Sequence, residues 1–199
     1  KTPDTGDIVL SSEKAYSNVF HKNGGNASFS VMANTLRGFY GTDVLVATAN
    51  SFTGSVLQAE YTQTTARAMI MPNVLLSYRR TMTVAELKET LRTFVEGCEG
   101  GFTPFNRGSL PVVSGIAIQV EENDGGYKLT GVTRNGKPLR DDDTFTVICL
   151  TTEKHMTPLL QDETRAFERG EDTVKDFWSK ALSDGSVVLA TPENYIVLE

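Results

Sequence analysis

The distribution of apolar positions organises the chain around Met71 to Val95. Val74 to Met82 is rich in β-branched, aromatic and long apolar residues and predicts a strand, with Tyr78, Arg79 and Arg80 at its centre. From Val84 the spacing changes: Val84, Leu87, Leu91, Phe94 and Val95 recur at steps of three and four, one face of a helix. Thr83 and Glu86 at the junction form a capping-box pattern, each side chain placed to satisfy the other's backbone amide. Gly97 is the predicted left-handed stop. A strand and helix joined this directly cannot bury both apolar surfaces alone, so other layers must cover them. The fold class predicted is α+β, with mixed β-sheet layers covered by helices.

The same reading runs through the remaining chain. Lys1 to Gly6 is polar and expected to fray. Ile8 to Leu10 predicts a short strand, Ser11 to Val19 a helical turn, and His21 to Asn26 a loop. Asn26-Ala27-Ser28 has the glycosylation acceptor pattern. Ser28 to Tyr40 predicts a helix ended by Gly41, and Asp43 to Ala47 a buried strand followed by the polar loop Thr48 to Gly54. Ligands in α/β folds gather beyond strand ends, which makes that loop a candidate site edge. Thr62 caps a short helix reaching Ile70, and Pro72 stops it.

Glu99 to Ser109 reads as a long loop carrying Phe102 and Phe105. Leu110 to Glu121 predicts two strands broken near Ser114-Gly115, Asn123 to Gly126 a hairpin turn, and Tyr127 to Arg134 the return strand. Asn135-Gly136 is the strongest short turn signal in the chain. A strand is expected over Phe145 to Leu150 and a mixed loop or short helix over Thr151 to Gln161. Asp162 to Asp172 should be a solvated charged stretch. Asp172 or Thr173 caps a last helix with Val174, Phe177, Trp178 and Leu182 on its apolar side. Val187 to Ala190 and Tyr195 to Leu198 are the predicted closing strands.

Composition narrows the function classes. The 19 basic residues against 25 acidic ones give a net charge of −6, which argues against non-specific binding to nucleic acid or an anionic membrane. No membrane span is present. Two cysteines, Cys98 and Cys149, are too few for a disulfide framework and read as two unpaired thiols. Lys1 is not an initiator residue, and the chain reads as an excised piece.

Catalytic patterns are sparse. The two histidines, His21 and His155, have no partner at metal-ligand spacing. Asp141 to Asp143 lacks the alternation, Gly and terminal Glu of a calcium loop and reads as a solvated turn. No nucleophile elbow, Walker loop or dinucleotide fingerprint occurs. Arg79 and Arg80 must point to opposite faces of their strand, one toward solvent and the other toward a layer or a cleft.

Four segments in register resemble the C-terminal domain of the 5′-nucleotidase family, which includes UDP-sugar hydrolases and cyclic-nucleotide phosphodiesterases. They are SFSVMANTLRGFYGTDVLVA, MPNVLLSYRRTMTVAELKETL, GSLPVVSGIAIQV and NGKPLRDDDTFTVICL, between Ser28 and Leu150. The resemblance implies a single domain over residues 1–199. A lead-in strand and loop occupy 1–27, the matching segment 28–160, and a C-terminal helix and strands 161–199. It also implies a role as the substrate-recognition half of a phosphoester hydrolase. The divalent metal pair and catalytic histidine would belong to an N-terminal metallophosphoesterase domain, the expected partner, with none in this chain. An extracytoplasmic location is implied as well.

The sequence departs from the family pattern at the pocket. The family's Gly-rich loop with its arginine falls on Thr48 to Thr53, without the glycines or the arginine. Its two base-stacking phenylalanines fall on Asn73 and Thr152, and the aspartate of the second loop falls near Pro158 and is absent. A stacked base is worth about 1–3 kcal/mol per ring, so these losses remove most of a nucleotide's affinity. Phe52, Tyr61, Phe102 and Phe105 are possible replacements, with packing as the competing role of each. The pocket expected is lined by Asn50, Thr53, Asn73, Thr152, Lys154 and His155, polar groups suited to a nucleotide or another phosphorylated small molecule. The alternative is a non-catalytic binding or structural module that kept the fold and lost nucleotide binding.

Overall fold

The computed structural model describes residues 6–70, 74–96, 110–124, 126–161, 166–185 and 187–199. In chain order the elements are β1 (Ile8–Ser12), β2 (Phe20–His21), β3 (Gly25–Asn26), α1 (Ala27–Tyr40), β4 (Val44–Ala47), β5 (Ala59–Thr62), α2 (Gln63–Arg67), β6 (Leu76–Thr83) and α3 (Val84–Val95). Then come β7 (Val112–Ser114), β8 (Ala117–Asn123), β9 (Gly126–Arg134), β10 (Lys137–Pro138), β11 (Thr144–Thr151), α4 (Glu153–Leu160), β12 (Glu168–Arg169), α5 (Val174–Ser183) and β13 (Ile196–Leu198). This is an α+β arrangement of mixed sheets and helices.

A five-stranded sheet in the order β12-β6-β11-β4-β7 carries the centre. β11 runs parallel to β4 and antiparallel to β6, so strands distant in sequence meet at its middle. A second sheet, β10-β9-β8-β13, pairs β13 parallel to β8. α3 packs against β6 and β11 of the first sheet and β9 of the second. Leu87, Leu91 and Val95 on α3 are fully buried, each worth about 1.5–3 kcal/mol of burial.

The central unit forms as its pattern predicts. β6 passes directly into α3, and both arms of the Thr83–Glu86 capping box are made. The Asn135-Gly136 turn joins β9 to β10, with φ of 52° and 73° at its two residues. Both values are positive, as a tight hairpin turn of this hand requires. Thr173 caps α5 and Thr62 caps α2, by side-chain oxygens that accept from Asp176 and Thr65 amides.

Three expectations are corrected, and one motif match is set aside. Ser11 to Val19 does not form a helical turn: Ser11 and Ser12 stay in β1, and the Tyr16 amide instead bonds the Val56 carbonyl at 2.7 Å. The Asn26 side chain accepts from the Phe29 amide at 3.0 Å as the cap of α1 and donates to Asn18. At 2% exposure it is closed to glycosylation. Val187 to Ala190 is not a strand. The segment beyond it is tied to buried polar side chains of α1. Thr35 accepts from the Ala190 amide, Asn34 donates to the Thr191 carbonyl, and Ser30 bonds both polar groups of the Glu193 backbone. Finally, Glu168 and Arg169, expected to be merely solvated, form the edge strand β12 on β6. Gly97, Cys98, Phe102 and Phe105 lie outside the described residues.

Candidate functional site

Three connections converge at one edge of the five-stranded sheet. β4 and β11 are parallel and end together, with Ala47 opposite Leu150. β6 is antiparallel and starts there, with Leu76 opposite Thr151. The loop after β4, the approach to β6 and the start of α4 therefore share that edge. The loop after β4 is tied to the end of β11: the Leu150 carbonyl accepts from the Thr48 amide and the Ser51 hydroxyl, both at 3.3 Å. A 3-10 turn over Ala49–Ser51 leaves Asn50 exposed.

The expected pocket residues divide by how they are held. Asn50 and Lys154 are exposed on the two adjoining connections. Thr53 is drawn toward the end of α2: its amide bonds the Met69 carbonyl at 3.0 Å and its hydroxyl donates to the Ala68 carbonyl. Thr152 is the cap of α4, its hydroxyl accepting from the His155 amide at 3.4 Å. His155 is half-buried with its ring 4.4 Å from the Phe94 ring. Its Nε2 is enclosed without a hydrogen-bond partner among the described residues, and burial lowers its pKa from the ordinary 6.5. Asn73 lies outside the described residues. Of the possible aromatic replacements, Phe52 is 4% exposed and packs on Phe29, and Tyr61 is 8% exposed with its hydroxyl on Leu57. Both belong to the core.

Among the described residues, no group of three or more His, Cys, Asp or Glu side chains is placed to hold a metal ion. Nor is any helix there long and apolar enough to cross a membrane.

A concavity of about 320 Å³ lies elsewhere on the sheet. Its floor is Ser77, Arg79 and Ile148, and its wall is a stacked pair, Tyr40 on Phe177, with ring centroids 4.1 Å apart and planes at 12°. Glu168 to Asp172 closes the remaining side. Gly170 donates its amide to the Ser77 carbonyl at 2.8 Å, and a Cβ at that position would collide with the Ser77 hydroxyl. The Tyr40 hydroxyl is enclosed outside hydrogen-bonding geometry. Burial raises its pKa, and the Ser77 hydroxyl offsets part of that rise. Of the paired arginines of β6, Arg79 is exposed on this face, while Arg80 turns to α3 and meets Glu86 at 2.5 Å. Tyr40 and Phe177 carried no signal, because helix ends so distant in sequence meet only through the tertiary fold.

The structure resembles solved proteins at low sequence identity. The 5′-nucleotidase precursor from Thermus thermophilus superposes with a TM-score of 0.67 at 12% identity, covering 98% of this chain and 40% of that one. The NAD nucleotidase of Haemophilus influenzae gives 0.63 at 16% identity, covering 97% and 38%. The sulfate thiohydrolase SoxB of Thermus thermophilus gives 0.63 at 14%, covering 96% and 35%. The chain thus spans about two fifths of the length of these proteins and has the fold of their C-terminal part. The likeness extends beyond residues 28–160 to nearly the whole chain. No family model matches the sequence, and no curated protein matches it.

Proposed function

We propose that this chain is the substrate-recognising C-terminal part of a longer phosphoester hydrolase of the 5′-nucleotidase type. The observation that supports this reading is the convergence of three connections at one sheet edge, within a fold found in 5′-nucleotidases. On this reading Asn50 and Lys154 face a phosphorylated small molecule, Thr53 and Thr152 shape the loops that present them, and His155 packs behind them on Phe94. Lys154 supplies the positive charge and Asn50 a neutral donor and acceptor. On this reading hydrolysis belongs to a metallophosphoesterase domain elsewhere in the longer protein, which carries the divalent metal pair. The parent protein acts outside the cytoplasm on this reading. The test is thermal-shift screening of the 199-residue chain with nucleosides, nucleotides and UDP-sugars. A saturable shift that Lys154→Ala weakens is expected; no shift with any of them overturns the reading.

One observation favours a second reading, a binding or structural module without nucleotide recognition. Phe52 and Tyr61 are both committed to the core, and the Thr53 and Thr152 hydroxyls are engaged by backbone. The same screen decides between the two, because a module of this kind gives no nucleotide-dependent shift.

A further inference from the structure

The cleft beside Tyr40 and Phe177 shares no residue with the edge just described, although it adjoins that edge through Ser77, next to Leu76, and through the Arg169–Glu153 pair. α1 ends at Tyr40 and leads into the beginning of β4, whereas the candidate edge follows the end of β4. The charged side chains around this cleft fall into two groups. Asp172 is committed to Lys180 at 2.5 Å, and Arg169 to Glu153 at 3.7 Å. Arg79, Glu168 and Glu171 form no ion pair among the described residues, and all three are exposed. Arg79 and Glu168 stand opposite each other in the β6–β12 register, which puts them on one face, yet no ion pair closes between them. Among the described residues Arg79 makes one long hydrogen bond, 3.5 Å to the Tyr40 carbonyl, which leaves most of its five donors without a partner there.

Opposite charges held apart across a small cavity fit a molecule that carries both signs. The cavity lies at the small end of ligand-site volumes, and the stacked rings give it an apolar wall. We infer that this cleft binds a free α-amino acid with an apolar or aromatic side chain. The carboxylate lies on the Arg79 guanidinium, the ammonium between Glu168 and Glu171, and the side chain against Tyr40 and Phe177. The inference does not rest on the nucleotidase reading, since the two sites share no residue.

The test is an amide-resolved NMR titration of the 199-residue chain with L-phenylalanine and L-leucine. N-acetyl-L-phenylalanine and L-phenylalanine amide, each lacking one charge, serve as controls. Saturable shifts are expected at Ser77, Gly170 and Glu171. Arg79→Gln, or Glu168→Gln with Glu171→Gln, should each weaken binding by about ten-fold or more, the loss of one charge-assisted contact. Because the two variants remove opposite charges, poor folding of one leaves the other, and the singly charged ligands need no variant at all. Absence of saturable shifts with either amino acid overturns the inference. So do equal binding of the N-acetyl or amide form, or unchanged binding by a folded variant.

Discussion

Arg80 and Glu86, six residues apart, close a 2.5 Å salt bridge across the junction of β6 and α3. The same carboxylate accepts from the Thr83 amide at 2.8 Å with its other oxygen. One side chain therefore holds both the helix cap and the strand arginine. The Thr83 amide is the larger cause of the lowered Glu86 pKa, and Arg80 adds to it. A lowered carboxylate pKa contributes stability above the ordinary value of 4.5 and loses it as pH falls through the folded-state value. Glu86→Gln is expected to cost about 1–2 kcal/mol at neutral pH. Urea melts at a series of pH values check this: the gap from the parent protein should narrow below pH 4.5.

Gly115 sits between β7 and β8 at a φ of 83°, and a Cβ there would run into the Asp43 carbonyl. Backbone cannot move aside as a flexible side chain can. Gly115→Ala should therefore destabilise by roughly 2 kcal/mol or more. Gly38 is the contrast, an exposed position in α1 with open space where a Cβ would go. Gly38→Ala should stabilise by up to about 1 kcal/mol. Opposite shifts in the melting temperatures of the two variants would support both statements.

His155 titrates below its ordinary value because burial disfavours the charged ring. The unfolded chain then binds a proton that the folded chain refuses, so stability falls as pH drops through 6.5. The decline levels off once pH passes below the folded-state pKa. Chemical denaturation of the parent protein and His155→Gln across that window should show a steeper pH slope for the parent. Equal slopes would remove His155 from the account.

Cys149 is fully buried at the middle of β11, and burial pushes its thiol up to about 12. It should not react with a thiol reagent at neutral pH until the sheet opens. In a Cys98→Ser background, labelling should follow the urea unfolding curve. Modification in native buffer would place Cys149 nearer the surface than this fold allows.

Local chemistry made some elements legible and left others hidden. The cap at Thr83 and the turn at Asn135-Gly136 are decided by neighbouring residues, and both formed as read. β12 is two residues long, and its pairing with Tyr78 and Arg79 depends on an edge that only the folded sheet supplies. Val187 to Ala190 has a strand-like composition, but Thr35 on α1 takes the Ala190 amide that a ladder would need. At the candidate site, sequence pattern located the loop edge through the strand ends. It could not show that the Thr53 hydroxyl bonds Ala68 or that the His155 ring lies on Phe94, since both contacts come from packing between distant elements.

The parallel pairing of β4 with β11 has a consequence for biosynthesis. The Thr146 amide that Asp43 accepts lies 103 residues downstream. As the nascent chain leaves the ribosome, β4 must wait without its central neighbour while those 103 residues are made. Its apolar run is exposed to chaperones or to misassociation during that interval, and a truncation before Thr144 would leave it so permanently.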